Sequence, residues 1–181
     1  MGVYIALLRG INVGGHKRVS MAELRALFGE LGFDDVQSLL QSGNVVFRTD
    51  RADAPALERL LEKATKKHLG IETVFFVRTA AEWKTIVARN PFPEEAKKDP
   101  SHLLVLCLKQ RPKAAAVKSL EAAIIGSEVL RVSGRQAYIV YPDGVGRSRL
   151  TNALIERKLG GSGTARNWST VLKLAALASS S

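Results

Sequence analysis

The sequence predicts an α+β protein made of two similar halves, each with the β-α-β-β-α-β order of a ferredoxin-like domain, plus a connecting helix and an extra C-terminal helix. Two observations carry this prediction. Apolar strand-like runs and amphipathic helix-like runs follow each other in the same order twice along the 181 residues. In addition, the central hairpin of each half is predicted to turn at a Ser-Gly pair, Ser42-Gly43 in the first and Ser133-Gly134 in the second.

Residues 1–78 form the first predicted half. Its opening apolar run is typical of a strand covered on both faces, and the next helix starts with a capping box of Ser20 and Glu23. We expect the loop after the first strand and the central hairpin to lie at opposite ends of the sheet. The predicted elements are, in order, a strand at Val3–Leu8, a helix from Met21 to Leu31, strands at Val36–Gln41 and Val45–Arg48, a helix opened by Asp53 and Pro55, and a strand at Glu72–Val77.

Residues 79–101 are predicted to connect the halves, as a helix with a Thr79 and Glu82 capping box followed by a linker rich in proline and charge. The second half, residues 102–181, repeats the pattern of the first. Its predicted elements are a strand at His102–Leu108, a helix at Pro112–Ile125, strands at Glu128–Val132 and Gln136–Tyr141, a helix at Ser148–Leu159, a short strand at Gly163–Arg166 and a last helix at Trp168–Ala178.

Composition and charge narrow the classes of function. Hydrophobic residues make up 46% of the chain and charged residues 24%, which is ordinary for a globular protein. No apolar run reaches the roughly 18–20 residues needed to cross a bilayer, and no export signal is visible, so we predict a cytoplasmic protein without a membrane partner. The net charge is +10, and residues 91–181 hold 14 Lys and Arg against 7 Asp and Glu. Such an excess predicts a phosphate-bearing partner, nucleic acid or nucleotide, or else a basic solvated surface.

The loop after the first strand is the first candidate anion site. Its glycines, Gly14 and Gly15, allow tight turns and let a ligand approach the backbone amides, while Arg9, Asn12 and Lys17 supply charged and amide donors. The loop precedes a capped helix, where anions are favoured. Its spacing fits neither a Walker loop nor a dinucleotide fingerprint, so the alternative is a loop with a solvated charge cluster.

Three further stretches place polar groups near turns or helix starts. Ser42 and Asn44 in the first hairpin suit a hairpin turn and also present hydroxyl and amide groups to a ligand. Ser148 is predicted to cap a helix beside two arginines, which indicates either a phosphate-binding surface or a solvated basic face. Arg166 and Asn167 precede the last helix, where Asn167 is predicted to be the N-cap.

The sequence offers no candidate residues for metal binding, for thiol chemistry or for nucleophilic catalysis. The three histidines are far apart and show no metal-ligand spacing with Cys, Asp or Glu, so we predict no metal and no cofactor. Cys107 lies in an apolar run and is expected to be a buried hydrophobic residue. No nucleophile elbow and no general base can be identified, which leaves the catalytic residues of any enzyme unknown.

Four motifs together resemble the bacterial family called domain of unknown function 1697. This resemblance implies a stand-alone bacterial α+β protein of ferredoxin-like type, and it implies no activity, substrate or cofactor. The matching segments are Leu7–Gly15, followed by Met21 and Leu24, then Gln41–Phe47, Asn90–Phe92 and Thr164–Leu174.

These observations leave three hypotheses. The first is a protein that binds a phosphate-bearing ligand, nucleic acid or nucleotide, through the glycine-rich basic loop and helix N-termini. The second is an enzyme acting on a small phosphorylated or nucleotide substrate, with arginines and amides stabilising negative charge. The third is a partner-binding protein without chemistry that pairs through exposed edge strands. The sequence does not determine the oligomeric state.

Overall fold

A computed structural model describes residues 1–10, 18–51 and 53–181. Within these ranges the chain is a mixed α+β protein with two four-stranded antiparallel sheets and seven α-helices. It divides into two compact units. The first unit comprises Met1–Val87 together with Lys173–Ser181, and the second comprises Ala88–Leu172. The predicted boundaries after residues 78 and 101 fall just before the helix Ala80–Ala88 and the strand Leu103–Leu108.

The helices and strands follow the predicted order with two additions, a short helix at Pro93–Lys98 in the predicted linker and a 3-10 helix at Val145–Arg147. The elements are β1 (Gly2–Leu8), α1 (Met21–Glu30), β2 (Asp34–Leu39), β3 (Asn44–Thr49), α2 (Ala54–Leu69), β4 (Phe75–Thr79), α3 (Ala80–Ala88), α4 (Pro93–Lys98), β5 (Leu103–Leu108), α5 (Ala114–Ala122), β6 (Val129–Ser133), β7 (Gln136–Val140), a 3-10 helix (Val145–Arg147), α6 (Asn152–Leu159), β8 (Gly163–Asn167) and α7 (Trp168–Ser180).

The sheet of the first unit has the strand order β2-β3-β1-β4, and its neighbouring strands are all antiparallel. One face packs against α1 and α2, because both helices carry apolar residues at helical spacing. This core joins Leu24 and Phe28 of α1 to Leu57 and Leu61 of α2 and to Phe47 of β3. Phe47 makes ring contacts with Phe28 within the same core.

The sheet of the second unit has the matching order β6-β7-β5-β8 and is also antiparallel throughout. Its core contains Leu106 of β5, Leu120 of α5, Ile139 of β7 and Ile155 of α6. Cys107 of β5 is fully buried, as its apolar run predicted.

Helix caps explain why several helices begin where the sequence predicts. Ser20 and Glu23 form the predicted reciprocal capping box of α1. Thr79 and Glu82 form the second box, with hydrogen bonds of 2.8 and 3.1 Å. Each box satisfies two backbone amides that the first helical turn leaves without a partner.

The predicted cap of α6 is wrong. Thr151, not Ser148, accepts the amide of Leu154, and the helix begins at Asn152. Ser148 instead accepts the amide of Leu150 at 2.9 Å, which holds the chain extended before the helix. The hydroxyl of Ser148 donates in turn to Glu128, which directly precedes β6.

The end of β1 and the β2–β3 hairpin lie at the same end of the first sheet, so the prediction of opposite ends is wrong. The amide of Leu8 donates to the carbonyl of Gly43 at 2.9 Å. Both β1 and β2 pair antiparallel with β3, so they run in the same direction and their C-terminal ends share one edge.

Carboxylates of α2 satisfy the outer backbone of strand β4. The amide of Val77 donates to Glu58 at 2.8 Å, and the amide of Phe75 donates to Glu62 at 3.0 Å. Glu58 and Glu62 lie one helical turn apart, which matches the two-residue spacing of outward-facing amides on a strand. An edge strand covered in this way offers fewer backbone groups to another chain.

Residues at matching positions act alike in the two units. The amide of Gly163, which starts β8, donates to Glu156 of α6 at 3.2 Å, as Phe75 of β4 does to Glu62 of α2. The guanidinium groups of Arg78 and Arg166 each donate to the carbonyl of the preceding residue, at 3.0 and 2.9 Å. These pairs extend the similarity of the two units from strand order to side-chain contacts.

The Ser-Gly pairs of the two hairpins are not in equivalent register. Leu8 bonds to Gly43, whereas its counterpart Leu108 bonds to Arg135 at 2.8 Å. Gly43 therefore corresponds to Arg135, one residue beyond Gly134. The likeness of the halves depends on strand order and not on this dipeptide.

Candidate ligand-binding site

A surface pocket of about 310 Å³ lies in the second unit, between the loop after α5 and the loop after β7. This volume is near the lower end of the range of about 300–1,000 Å³ for small-molecule sites. Glu128 directly precedes β6 and Asp143 lies in the loop after β7, while Arg147, Ser148 and Arg149 come from the chain before α6. The remaining lining residues are Ala123, Ile125, Gly126, Ser127 and Leu150.

A long connection between β7 and α6 builds one wall of this pocket. It spans residues 141–151, whereas the matching connection between β3 and α2 in the first unit spans only residues 50–53. The additional residues form a 3-10 turn that ends at Arg147. The pocket therefore depends on a segment in which the two units differ.

Arg147 and Arg149 supply the positive charge of the pocket. Both side chains are exposed, and within the described part of the chain neither guanidinium has an ion-pair or hydrogen-bond partner. A guanidinium group offers five donors in a planar fork that matches the oxygens of a phosphate or carboxylate. Two such groups separated by one residue can therefore hold an anion without breaking an existing interaction.

Two serine–carboxylate pairs supply the polar side of the same pocket. The hydroxyl of Ser148 donates to Glu128 Oε1, and the hydroxyl of Ser127 donates to Asp143 Oδ2 at 3.1 Å. Gly126 lies close to the Glu128 carboxylate, which would have to shift if a Cβ were added at that position.

Tyr141 lies buried behind the pocket. Its hydroxyl donates to the carbonyl of Leu150 at 3.1 Å, which fixes the segment that carries the arginines. Burial, reinforced by the negative charge of Glu128, raises the pKa of Tyr141 to about 12. The phenol is therefore neutral at physiological pH and acts as a hydrogen-bond donor.

The predicted residues of the glycine-rich loop divide into two groups. Asn12, Gly14, Gly15 and Lys17 lie outside the described residues. Arg9 is half-buried at the end of β1, where its carbonyl accepts the hydroxyl of Thr73 at 2.7 Å and its amide donates to the carbonyl of Val74 at 3.0 Å.

In the first hairpin, the side chain of Asn44 supports the turn. Asn44 is fully buried, and its amide nitrogen donates to the carbonyl of Leu39 at 2.9 Å and to the hydroxyl of Ser42 at 3.0 Å. Both hydrogens of the amide are thus committed to the hairpin. Ser42 is exposed and sits beside the end of β1, because Leu8 bonds to the neighbouring Gly43.

Arg166 and Asn167 make local contacts at the start of α7. Asn167 is the N-cap as predicted, because its side-chain oxygen accepts the amide of Thr170 at 3.0 Å. Arg166 donates to the hydroxyl of Thr164 at 2.8 Å, and burial lowers its pKa to about 10. The amide of Trp168 donates to the carbonyl of Pro100, so two amides of the first turn already have partners.

All eleven aromatic side chains are buried, none more than 9% exposed. They include Trp168 at the start of α7. Proteins that bind single-stranded nucleic acid without sequence preference stack bases on exposed aromatic rings. This chain offers no aromatic side chain for that purpose.

Sequence reasoning identified Ser148 but missed its partner Glu128, along with Ser127 and Asp143. Glu128 and Ser148 are 20 positions apart, so no local spacing connects them. Glu128 directly precedes β6 and Asp143 lies in the loop after β7, and the pairing of β6 with β7 brings the two loops together. The two arginines were visible in the sequence as a basic stretch before α6.

Other classes of site have no candidate in the described ranges. Among residues 1–10, 18–51 and 53–181, no group of three or more His, Cys, Asp or Glu side chains is arranged to hold a metal ion. No helix of the described chain is long and apolar enough to span a bilayer.

Comparisons with known proteins place the chain in a family whose members are described as having unknown function. No curated protein matches it. A solved structure of the conserved bacterial protein SP0830 from Streptococcus pneumoniae is similar over 98% of both chains, with 23% identity and a TM-score of 0.76, which shows a shared fold. With its family profile matching residues 1–138, the chain belongs to the family described as Protein of unknown function (DUF1697).

Proposed function

We propose that this protein binds a small phosphate-bearing ligand in the pocket of the second unit. The observation that carries the proposal is the pair of guanidinium groups, Arg147 and Arg149, which line a pocket with two serine hydroxyls and have no ionic partner among the described residues. Phosphate oxygens accept from arginine forks in charge-assisted hydrogen bonds, which are stronger than neutral ones.

The charge of the second unit supports the same ligand class. Residues 88–172 hold 14 Lys and Arg against 7 Asp and Glu, so this unit carries +7 of the net charge of +10. A positive unit raises the local concentration of anionic ligands and their rate of association. The pocket volume favours a small molecule over a nucleic-acid strand, and the burial of all aromatic rings favours recognition by charge over recognition by stacking.

Removing both arginines tests the proposal. We expect Arg147→Ala with Arg149→Ala to weaken binding of inorganic phosphate and of adenosine monophosphate by about 100-fold, since hydrogen bonds to charged groups contribute about 1.5–3 kcal/mol each. The measurement is isothermal titration calorimetry at an ionic strength of about 0.1 M, where the Debye length is about 10 Å.

The matched control is Lys97→Ala with Lys98→Ala, which removes two exposed charges of the same unit outside the pocket lining. This control should bind within about threefold of the unaltered protein, because neither lysine lines the pocket and salt screens exposed charges. Equal losses in both double variants would show that general charge, and not the pocket, holds the anion.

An enzyme acting on a small phosphorylated substrate is a second candidate. The specific observation in its favour is the hydrogen bond from Ser148 to Glu128, which supplies the carboxylate base that the sequence did not reveal. Phosphate release from sugar phosphates and nucleotides should then be measurable and should fall at least 100-fold in Glu128→Gln. A release rate that is unchanged by this substitution would contradict the enzyme hypothesis and leave binding untouched.

We also infer that each unit is a ferredoxin-like domain. The strand orders β2-β3-β1-β4 and β6-β7-β5-β8, with the β-α-β-β-α-β succession in each unit, support this assignment.

Edge pairing with a partner chain is less favoured than ligand binding. Carboxylates accept from amides of β4 and β8, and Arg131 donates to the carbonyl of Leu130 on the edge strand β6.

A further inference from the structure

The pocket is lined by equal numbers of positive and negative side chains. This balance indicates what the ligand must carry in addition to its phosphate. Arg147 and Arg149 contribute two positive charges, and Glu128 and Asp143 contribute two negative ones. A ligand that carries only negative charge is attracted by the guanidinium groups but repelled by the carboxylates. Full complementarity requires an anionic group together with hydrogen-bond donors.

The two carboxylates have acceptor capacity to spare. An ionised carboxylate accepts only, at about four lone-pair sites. Glu128 accepts one hydrogen bond from Ser148 and Asp143 accepts one from Ser127. The serines thereby orient the carboxylates, and the remaining lone pairs suit hydroxyl groups of a ligand.

A nucleobase has little to bind in this pocket. The apolar lining consists of Ala123, Ile125 and Leu150, with no aromatic ring. The volume of about 310 Å³ also favours a compact ligand. Hydroxyl groups on a small carbon skeleton match both the size and the acceptors.

From these observations we infer that the ligand is a phosphorylated polyhydroxy compound of the sugar phosphate class. Its phosphate binds Arg147 and Arg149, and its hydroxyl groups donate to Glu128 and Asp143. This inference rests on the proposed function, since it places the phosphate on the same arginines.

Calorimetric titration with four related probes tests the inference: inorganic phosphate, ribose, ribose phosphate and adenosine monophosphate. We expect ribose phosphate to bind at least tenfold more tightly than inorganic phosphate or ribose, and adenosine monophosphate to bind no more tightly than ribose phosphate. Asp143→Asn should weaken ribose phosphate about tenfold and leave inorganic phosphate as tight or tighter, because it removes a like charge. The control Glu94→Gln neutralises an exposed acid of the same unit outside the pocket lining.

The outcomes separate this inference from the proposed function. Equal affinities for ribose phosphate and inorganic phosphate would overturn the sugar phosphate assignment while phosphate binding stands. Adenosine monophosphate binding tenfold more tightly than ribose phosphate would overturn it by showing that the base is recognised. If Asp143→Asn weakened both phosphate probes equally, with an unchanged melting temperature, the carboxylate would have no role toward hydroxyl groups. Binding of no probe would refute both proposals.

Discussion

Glu58→Ala is expected to destabilise the first unit by about 2–3 kcal/mol. Glu58 is 5% exposed, and its carboxylate accepts the amide of the fully buried Val77 at 2.8 Å. Truncation leaves a buried amide without this acceptor, which costs about 1–3 kcal/mol, and also removes the packing of the side chain against β4.

Two further variants test whether the loss of stability is due to the hydrogen bond of the Glu58 carboxylate. Glu58→Gln retains a side-chain oxygen that can accept the same amide, so its loss should be about half as large. Glu30→Ala removes an exposed acid at the end of α1 and should change the unfolding free energy by less than about 0.5 kcal/mol. The measurement is urea-induced unfolding at neutral pH. Equal stability of Glu58→Ala and Glu30→Ala would contradict the role assigned to the carboxylate.

The second large effect is a loss of stability at alkaline pH that two buried tyrosines cause. Burial raises the pKa of both Tyr138 and Tyr141 to about 12, and the charge of Glu128 adds to the effect on Tyr141. The pKa of tyrosine in an unfolded chain is about 10. The unfolded state therefore loses protons first, and the unfolding free energy falls as pH rises from about 10 to about 12.

Each tyrosine should account for on the order of 2–3 kcal/mol of this loss, because one pKa unit corresponds to about 1.36 kcal/mol. Urea unfolding of the Tyr138→Phe and Tyr141→Phe variants at several pH values above about 9 measures it. Tyr141→Phe loses the bond to Leu150 at every pH, so the slope against pH and not the absolute stability is the readout. Slopes equal to that of the unaltered protein would contradict the prediction.

Helix caps that depend on residues close together in the sequence were predicted correctly. The capping boxes at Ser20 and Thr79 need only residues three positions apart, and both are present as expected. The N-cap of α7 at Asn167 is likewise a local contact and is confirmed. Such features are determined by short-range hydrogen bonds that the sequence displays directly.

The wrong predictions concern features that depend on contacts between segments distant in the sequence. Ser148 has the chemistry of a helix cap, but Glu128 of another loop accepts its hydroxyl, and Thr151 caps α6 instead. The hairpin of Ser42 was expected at the wrong end of the sheet because the direction of β1 relative to β2 depends on the intervening β3. Neither fact is encoded in local spacing.

The candidate site was predictable in part. The basic stretch around Ser148 was visible in the sequence, whereas its acidic half was not, because Glu128 and Asp143 meet only through the pairing of β6 with β7. The long connection of residues 141–151 also lies beyond the matched residues 1–138 of the family.

The division of the chain into units has a consequence for synthesis on the ribosome. Residues 173–181 belong to the first unit, although they are made after the whole of the second, and Gln37 of β2 donates to Ser181 at 3.1 Å. The second unit is continuous in sequence, so all of its residues are translated before residues 173–181 of the first unit. The half of the protein that is started first is thus the one that is finished last.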